Sequence, residues 1–274
     1  MQSEWRLLLS GSGTGAYNMA VDEVLLNGVI AGKAPPTIRF YTWKQECLSF
    51  GFLQEVDKHL RNKCKNHGVE MVRRPTGGYA LLHGRDFCYS IATPFALLST
   101  ISHLEASRSV VSALATGLCF LNIPVAIALD ESKEKMVSKN ISCVASVSLY
   151  DIMLNRKKIV GSASLCRQDS YLQHGSIFVD FSEDRIDQLL KRQDLDYNSG
   201  NNRSSGLRQI MGIVYSGEKL IAALAEGFRK QLKVKLKPAA LEFTEENAVR
   251  KLVFEKYAQL DYRKQQGRLS QQDV

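Results

Sequence analysis

Val69-Glu70-Met71-Val72-Arg73-Arg74-Pro75-Thr76-Gly77-Gly78 is the stretch on which the reading of this chain turns. Residues 69–72 have the character of a short strand, and they run directly into two arginines, a proline and a Gly-Gly pair. Two adjacent residues without Cβ let backbone approach a ligand closely. Successive glycine N–H groups can form an anion-binding concavity, and two guanidinium groups add charge. A carboxylate, a phosphate or a developing oxyanion suits such a segment, although an ordinary Gly-Gly turn with surface arginines carries the same letters. No Gly-Lys-Ser/Thr follows, so this is not a Walker loop. Gly11-Ser12-Gly13-Thr14-Gly15 lacks the strand and spacing of a dinucleotide fingerprint and reads as a loop ahead of the first helix.

Working outward, residues 79–82 and 87–92 predict a hairpin around His83-Gly84-Arg85-Asp86. Upstream, residues 17–29 gather Met19, Val21, Val24, Leu25 and Val29 largely on one helical face. Strands are predicted at 37–43 and 47–50, and a short polar helix at 57–66. Downstream come a long helix at 103–121 and a strand at 123–129. A charged connection spans 130–139, and strands follow at 147–154, 159–165 and 172–181. Asn155-Arg156-Lys157 is turn chemistry between two of them. A helix at 183–190 and an Asn/Ser/Gly-rich loop at 197–206 precede a helical end, with Thr244 as the expected N-cap of the last helix. Hairpins mixed with helices argue for α+β rather than a wound βαβ sheet.

The chain has 274 residues, 45% of them hydrophobic and 23% charged, an ordinary globular composition that argues against disorder for most of it. One domain over 1–262, with a helical segment at 216–262, and a disordered tail at 263–274 are expected. No apolar run reaches the roughly 18–20 residues that span a bilayer, and the first residues lack signal-peptide design, so a cytoplasmic, membrane-free protein is expected. Six scattered cysteines without a C-x-x-C pair read for the most part as buried thiols and not as disulfides or a metal site. A net charge of +8 attracts acidic partners without choosing among them, and no nucleic-acid motif is present.

Three further stretches could carry chemistry. In Lys157-Lys158-Ile159-Val160-Gly161-Ser162-Ala163 the small residues suggest that something packs against the strand backbone. A lysine opening that strand could face a pocket, but Lys158 taken alone reads first as a solvated hairpin lysine. Gln173-His174-Gly175-Ser176 is equally compatible with a structural histidine. Cys143 is inert unless a neighbouring cation favours its thiolate. Simple pairing about Asn155 would leave it far from Lys158 unless the chain before Val147 folds back.

Taken in order, Asn18-Met19-Ala20-Val21-Asp22-Glu23, then Arg73 to His83, then Lys158 to Ala163, then Leu172 to Ile177, resemble the biotin/lipoate protein ligase family over residues 5–257. The resemblance implies that family's catalytic-domain fold, with a mixed, largely antiparallel central sheet and flanking helices. Cys143 stands 15 residues before Lys158, as the nucleophile precedes the lysine in the family's octanoyltransferases. Ser148-Leu149-Tyr150-Asp151 replaces the Asn-Asp pair of the ATP-dependent ligases, and the separate C-terminal domain of many ligases is not recognisable. Departures are Tyr79 in place of arginine or glycine, Gly84 in place of aspartate, and Val144-Ala145-Ser146-Val147.

By this resemblance the chain would transfer octanoyl, the lipoyl precursor, from acyl carrier protein to a lysine of a lipoyl-domain protein. Glycine cleavage H protein and the E2 of a 2-oxoacid dehydrogenase are such targets. Cys143 and Lys158 would be catalytic. Arg74, Thr76, Gly77, Gly78, Tyr79, His83, Gly161, Ser162, Ala163, His174 and Gly175 would bind substrate, and Leu81, Ile159 and Val160 would line the acyl tunnel. Lys158 or, less readily, His83 would take the proton of the target amine. The transferase requires neither metal nor cofactor. The alternatives are an ATP- and Mg-dependent lipoate or biotin ligase and a non-catalytic regulator that binds acylated proteins.

Overall fold

The computed structural model describes residues 3–98, 102–128, 151–190 and 204–262. Strand β1 (Glu4–Gly13) opens the chain and leads into helix α1 (Gly15–Ile30). Residues 11–13, read from sequence as loop, are therefore the end of a strand. A bulge conceals it: the register against the next strand shifts between Leu9 and Ser12, and Gly11 takes φ +63°. Thr14 caps α1 by accepting the Tyr17 N–H at 3.3 Å.

Strands β2 (Thr37–Trp43) and β3 (Cys47–Phe50), helix α2 (Lys58–Asn66), and strands β4 (Glu70–Arg73), β5 (Leu81–His83) and β6 (Asp86–Pro94) follow. Helix α3 (His103–Phe120) and strands β7 (Ala126–Ile127), β8 (Ile152–Leu154), β9 (Lys157–Arg167) and β10 (Ser170–Phe178) come next. The described chain closes with α4 (Glu183–Leu190), α5 (Leu207–Met211), α6 (Gly217–Leu232), β11 (Lys235–Pro238) and α7 (Phe243–Leu252), which passes into a π turn at Val253–Tyr257.

Among the described residues eight strands form one sheet in the order β11-β1-β2-β6-β10-β9-β8-β7, and three form a second in the order β4-β3-β5. In the large sheet β1 runs parallel to β11 and β2, and every other pairing is antiparallel. This is the α+β class expected from sequence. Asn155 (φ 49°) and Arg156 (φ 62°) make the two-residue turn joining β8 to β9, because two left-handed residues match the twist of a hairpin.

Three further sequence expectations change. Residues 79–92 are not a hairpin: β5 pairs with β3 in the small sheet, whereas β6 pairs with β2 and β10 in the large one. The Asp86 carboxylate accepts the Gly84 N–H at 2.9 Å, and Gly84 at φ +125° supplies the sharp change of direction. Strand β11 is short and basic, and its parallel pairing with β1 compensates for a weak strand pattern. The last helix begins at Phe243 after the N-cap Glu242, whose N–H bonds the Glu245 carboxylate at 2.8 Å; Thr244 lies within the first turn.

Strand alternation divides the large sheet into two buried faces. Trp5, Ile38, Phe40, Phe87, Tyr89, Ile91, Tyr171 and Ile177 pack with α3 and α6 in the main core. Leu8, Tyr41, Trp43, Cys88, Leu172 and Leu165 pack under α1 and α7. A third cluster joins the small sheet to α2 and α4. The α1 face also carries His174 and Ser176, because they keep phase with Leu172 along β10.

Candidate functional site

Between the small sheet and the α1 face of the large sheet lies a cleft of about 390 Å³. Met19, Tyr41, Trp43 and Leu81 make apolar walls, and Gly161, Ala163 and Gly175 of β9 and β10 keep the floor free of long side chains. Gly175 has no room for a side chain: a Cβ there would sit 2.5 Å from the Gly161 carbonyl oxygen and 2.7 Å from the Tyr89 ring. Ile159 and Val160, expected in the tunnel, belong to the main core instead.

Lys158 is 1% exposed, so the solvated reading fails. Its ammonium pairs with the Asp151 carboxylate at 2.9 Å, and Asp151 is 4% exposed. A Cβ on Gly161 would stand 3.0 Å from Lys158 Cε and 3.4 Å from Nζ. The absent side chain thus leaves the buried amine immediately beside the cleft floor. The Lys158 carbonyl accepts the Ser205 N–H at 3.0 Å, which ties this strand to the chain after residue 203. Cys143 lies outside the described residues.

The arginine pair separates into two tasks. Arg73 turns away from the cleft, donating to the carbonyls of Gly51, Phe52, Gln54 and Leu260 at 2.7–3.0 Å. Arg74 lines the cleft and uses its fork in both directions. Nη2 donates to the Gly77 and Tyr79 carbonyls at 2.8 Å, and Nη1 donates to Ser49 O at 3.1 Å and Ser49 Oγ at 3.0 Å. Gly77, Gly78 and Tyr79 therefore form a turn braced by Arg74 and lie outside the cleft wall, with Gly78 at φ +89°. Gly51 lacks room for a Cβ, which would fall 1.8 Å from the Gly78 carbonyl.

Two buried chains of hydrogen bonds reach the cleft. In one, His174 Nε2 meets Thr76 Oγ1 at 2.7 Å and Nδ1 meets Asp22 Oδ2 at 2.9 Å, while Asp22 Oδ1 accepts from Arg39 Nη1 and Ser90 Oγ, both at 2.7 Å. Burial works to raise the Asp22 carboxyl, but the Arg39 guanidinium, with His174 and Ser90, overcomes it and holds the group below the usual carboxylate range. Burial also pushes His174 down, against the pull of Asp22, and favours its neutral ring. With Asp22 ionised, Nδ1 carries the hydrogen and Nε2 accepts the Thr76 hydroxyl.

In the other chain, Ser49 Oγ meets His83 Nε2 at 2.8 Å, and His83 Nδ1 meets Asp86 Oδ2 at 2.6 Å. Ser176 Oγ donates to the same carboxylate at 2.6 Å. Burial raises the Asp86 carboxyl, but the His83 charge and these hydrogen bonds outweigh it and leave the group low. Trp43 stacks on the His83 ring, 4.0 Å between centroids and 16° between planes. Among the described residues His83, Asp86 and Cys88 hold ligand-type atoms within 4.8 Å of one another. Those atoms already bond each other and Ser49, Ser176 and Trp43, and burial pushes the Cys88 thiol well up, a donor set unsuited to a metal.

Arg74, His83, Gly161, Ser162, Ala163, His174 and Gly175 thus meet in one cleft, with Thr76 joined through His174. Ser162 also touches the opposite face through a 2.7 Å bond between its hydroxyl and that of Tyr89. Sequence reading did not single out Ser49, Asp86 or Asp151, or the partner of Asp22. A signal existed for Asp22: Asn18 and Asp22 are polar residues four apart on one side of a largely apolar helix, and both are 0% exposed.

Among solved structures the chain resembles a lipoate-protein ligase A bound with ATP, with TM-score 0.76, 23% identity and coverage of 96% of this chain and 98% of that one. It also resembles a bipartite lipoate protein ligase of Thermoplasma acidophilum, with TM-score 0.76, 22% identity and coverage of 95% and 96%. These likenesses place the fold with that of the lipoate-protein ligases. Residues 14–229 match the lipoyl protein ligase A/B catalytic domain, and the chain belongs to that family. Octanoyltransferase LipM of Halalkalibacterium halodurans is 34% identical over 265 residues, covering 92% of this chain and 96% of that protein. Octanoyltransferase LipM of Kyrpidia tusciae is 33% identical over 277 residues, covering 95% and 99%. No described helix is long and apolar enough to cross a membrane.

Proposed function

We propose that this enzyme transfers octanoyl from acyl carrier protein to a lysine of a lipoyl-domain protein through a thioester on Cys143. The geometric observation that carries this reading is the Lys158–Asp151 pair, which holds a cation at 1% exposure directly beside the glycine floor of an apolar-walled cleft. Its chemical complement is a thiol that needs a neighbouring positive charge to become a thiolate, and Cys143 precedes Lys158 by 15 residues. The names of full-length relatives support octanoyl as the cargo.

The Cys143 thiolate attacks the carrier-protein thioester, and the carrier leaves as its thiolate. The target amine then attacks the new thioester and releases Cys143. The walls of Met19, Tyr41, Trp43 and Leu81 suit the acyl chain, whose burial contributes about 0.8 kcal/mol per methylene. This route draws its energy from the thioester and uses neither ATP nor Mg. A net charge of +8 favours encounter with acidic partners such as carrier proteins and lipoyl domains.

Incubation with octanoyl-acyl carrier protein tests the reading. A hydroxylamine-labile octanoyl adduct that disappears in Cys143→Ser is expected. ATP-driven labelling of a lipoyl domain that ignores Cys143→Ser would select a ligase instead.

A further inference from the structure

The cleft has two sides that belong to different sheets. One side is α1 on the large sheet, which brings Met19. The other is the small sheet, which brings Ser49, Leu81 and, just past the end of β4, Arg74. An acyl chain has only dispersion and burial to hold it, and a gap of about 0.5–1 Å forfeits about a quarter to a half of each contact. The separation of the two sides therefore decides how well a chain of given thickness fits.

Residues 256–262 are fastened to both sides. At one end Lys256, a buried cation, donates to the two Glu23 carboxylate oxygens at 2.9 and 2.8 Å, and the Tyr257 hydroxyl donates to the same group. Glu23 stands four residues after Met19 on α1, one turn along the same stripe of the helix. At the other end the Leu260 carbonyl accepts Arg73 Nε at 2.9 Å, and the Asp261 carboxylate accepts Arg61 Nη2 of α2 at 2.8 and 2.9 Å. Arg73 carries that hold onward to the carbonyls of Gly51, Phe52 and Gln54, beside the Gly77-Gly78 turn. The Tyr262 hydroxyl donates to the Arg74 carbonyl at 3.4 Å. The two ends also grip each other: Lys256 Nζ lies 4.6 Å from the centre of the Tyr262 ring, and the Tyr257 and Tyr262 rings meet edge to face at 5.5 Å. A buried ion pair contributes little net stability over apolar residues of equal size, but its partners can shift only by losing hydrogen bonds. Such a pair fixes a distance.

We infer that residues 256–262 form a strap that sets the width of the acyl cleft, with Lys256 and Asp261 as its positioning residues and the thickness of the acyl tail as the property it selects. The inference rests on the cleft being the acyl site, as read above, and is independent of the chemistry at Cys143. None of these residues lines the cleft, so the strap acts through α1 on one side and through the Arg73-Arg74 segment on the other. Octanoyl and lipoyl have the same number of carbons and differ in cross-section, because lipoyl closes the end of its chain into a ring with two sulfurs. A cleft held at the width of a plain methylene chain favours octanoyl. When the strap is cut, the sides part, the thin chain loses contacts, and the thicker ring keeps them.

Calorimetric titration of the full chain with octanoate and with lipoate gives the ratio of the two dissociation constants, octanoate over lipoate. In Glu23→Gln/Lys256→Met, which cuts the α1 end without leaving a lone buried charge, the ratio should rise by about tenfold. In Asp261→Ala, which cuts the other end at a partly exposed position, it should rise by about threefold. Lys256→Arg keeps the charge and the ring contact and should hold the wild-type ratio. Leu118→Ala opens a cavity in the main core, across the large sheet from α1, and should lower stability without moving the ratio. A wild-type ratio in both cut variants overturns the strap, as does a rise of the same size in Leu118→Ala. If the double variant does not fold, Asp261→Ala decides alone. Wild type that binds neither acid overturns the acyl reading of the cleft, and the task of the strap with it.

Discussion

Replacing Asp22 by Asn should weaken folding by about 3 kcal/mol, because it removes the counter-charge of a guanidinium with no access to water. Asp22 and Arg39 are both 0% exposed and meet at 2.7 Å, and two more donors, Ser90 Oγ and His174 Nδ1, converge on the same carboxylate. Removing one partner of a buried pair typically costs about 3–5 kcal/mol. The lower end applies here, since Arg39 keeps its bonds to the Asn18 carbonyl, Asn18 Oδ1 and Ser10 Oγ, and neutral His174 can change tautomer to accept from the new amide. For a domain stable by about 5–15 kcal/mol the loss is substantial. It corresponds to a fall in Tm of about 6–12 °C, at 2–4 °C per kcal/mol for a chain of this size. Urea unfolding at pH 7 measures it directly, through a lower midpoint at constant slope. The double variant Asp22→Asn/Arg39→Met, which no longer buries a lone charge, should lose less than Asp22→Asn alone. A loss below about 1 kcal/mol, or a double variant less stable than the single, would refute this account of the pair.

Gly175→Ala should destabilise by about 1–3 kcal/mol and reduce activity, since its methyl would force β9 from β10 at Gly161; a thermal melt and a transfer assay check both. Stability should fall on acidification in two stages. His174 is held below its ordinary value, so below about pH 6.5 the unfolded chain binds the proton more readily, and stability declines as pH falls toward the folded value. Asp22 and Asp86 are also held low, so their stabilisation is complete above about pH 4 and is lost as pH falls through their folded values. Urea midpoints across pH 3–8 should show both stages, with the upper one missing in His174→Gln. Arg74→Lys should raise KM for the octanoyl donor or lower stability despite keeping the charge, because an ammonium cannot bridge Gly77 and Tyr79 on one side and Ser49 on the other; steady-state kinetics and a melt read the two effects.

Much of the architecture was legible in the sequence because it depends on neighbours in the chain. Apolar spacing in residues 17–29 marked α1, strand character marked β2, β9 and β10, and Asn155-Arg156 marked a hairpin whose turn needs two left-handed residues. The order of four short motifs identified the family. What tertiary structure decided is the choice of partners across long separations. Asp22 reaches His174 over 152 residues, Ser49 reaches His83 over 34, and Ser176 reaches Asp86 over 90. Periodicity assigns a side chain to a face, but only folding determines what lies opposite it. The same limit explains the false hairpin at 79–92, where adjacent strands enter different sheets, and the misread Lys158, whose burial depends on Asp151 and on the bare floor at Gly161. Arg73 and Arg74 make the point most sharply. Sequence presented them as one doubled charge, and the fold directs Arg73 to backbone carbonyls and Arg74 to the cleft, because successive residues of an extended chain point in opposite directions.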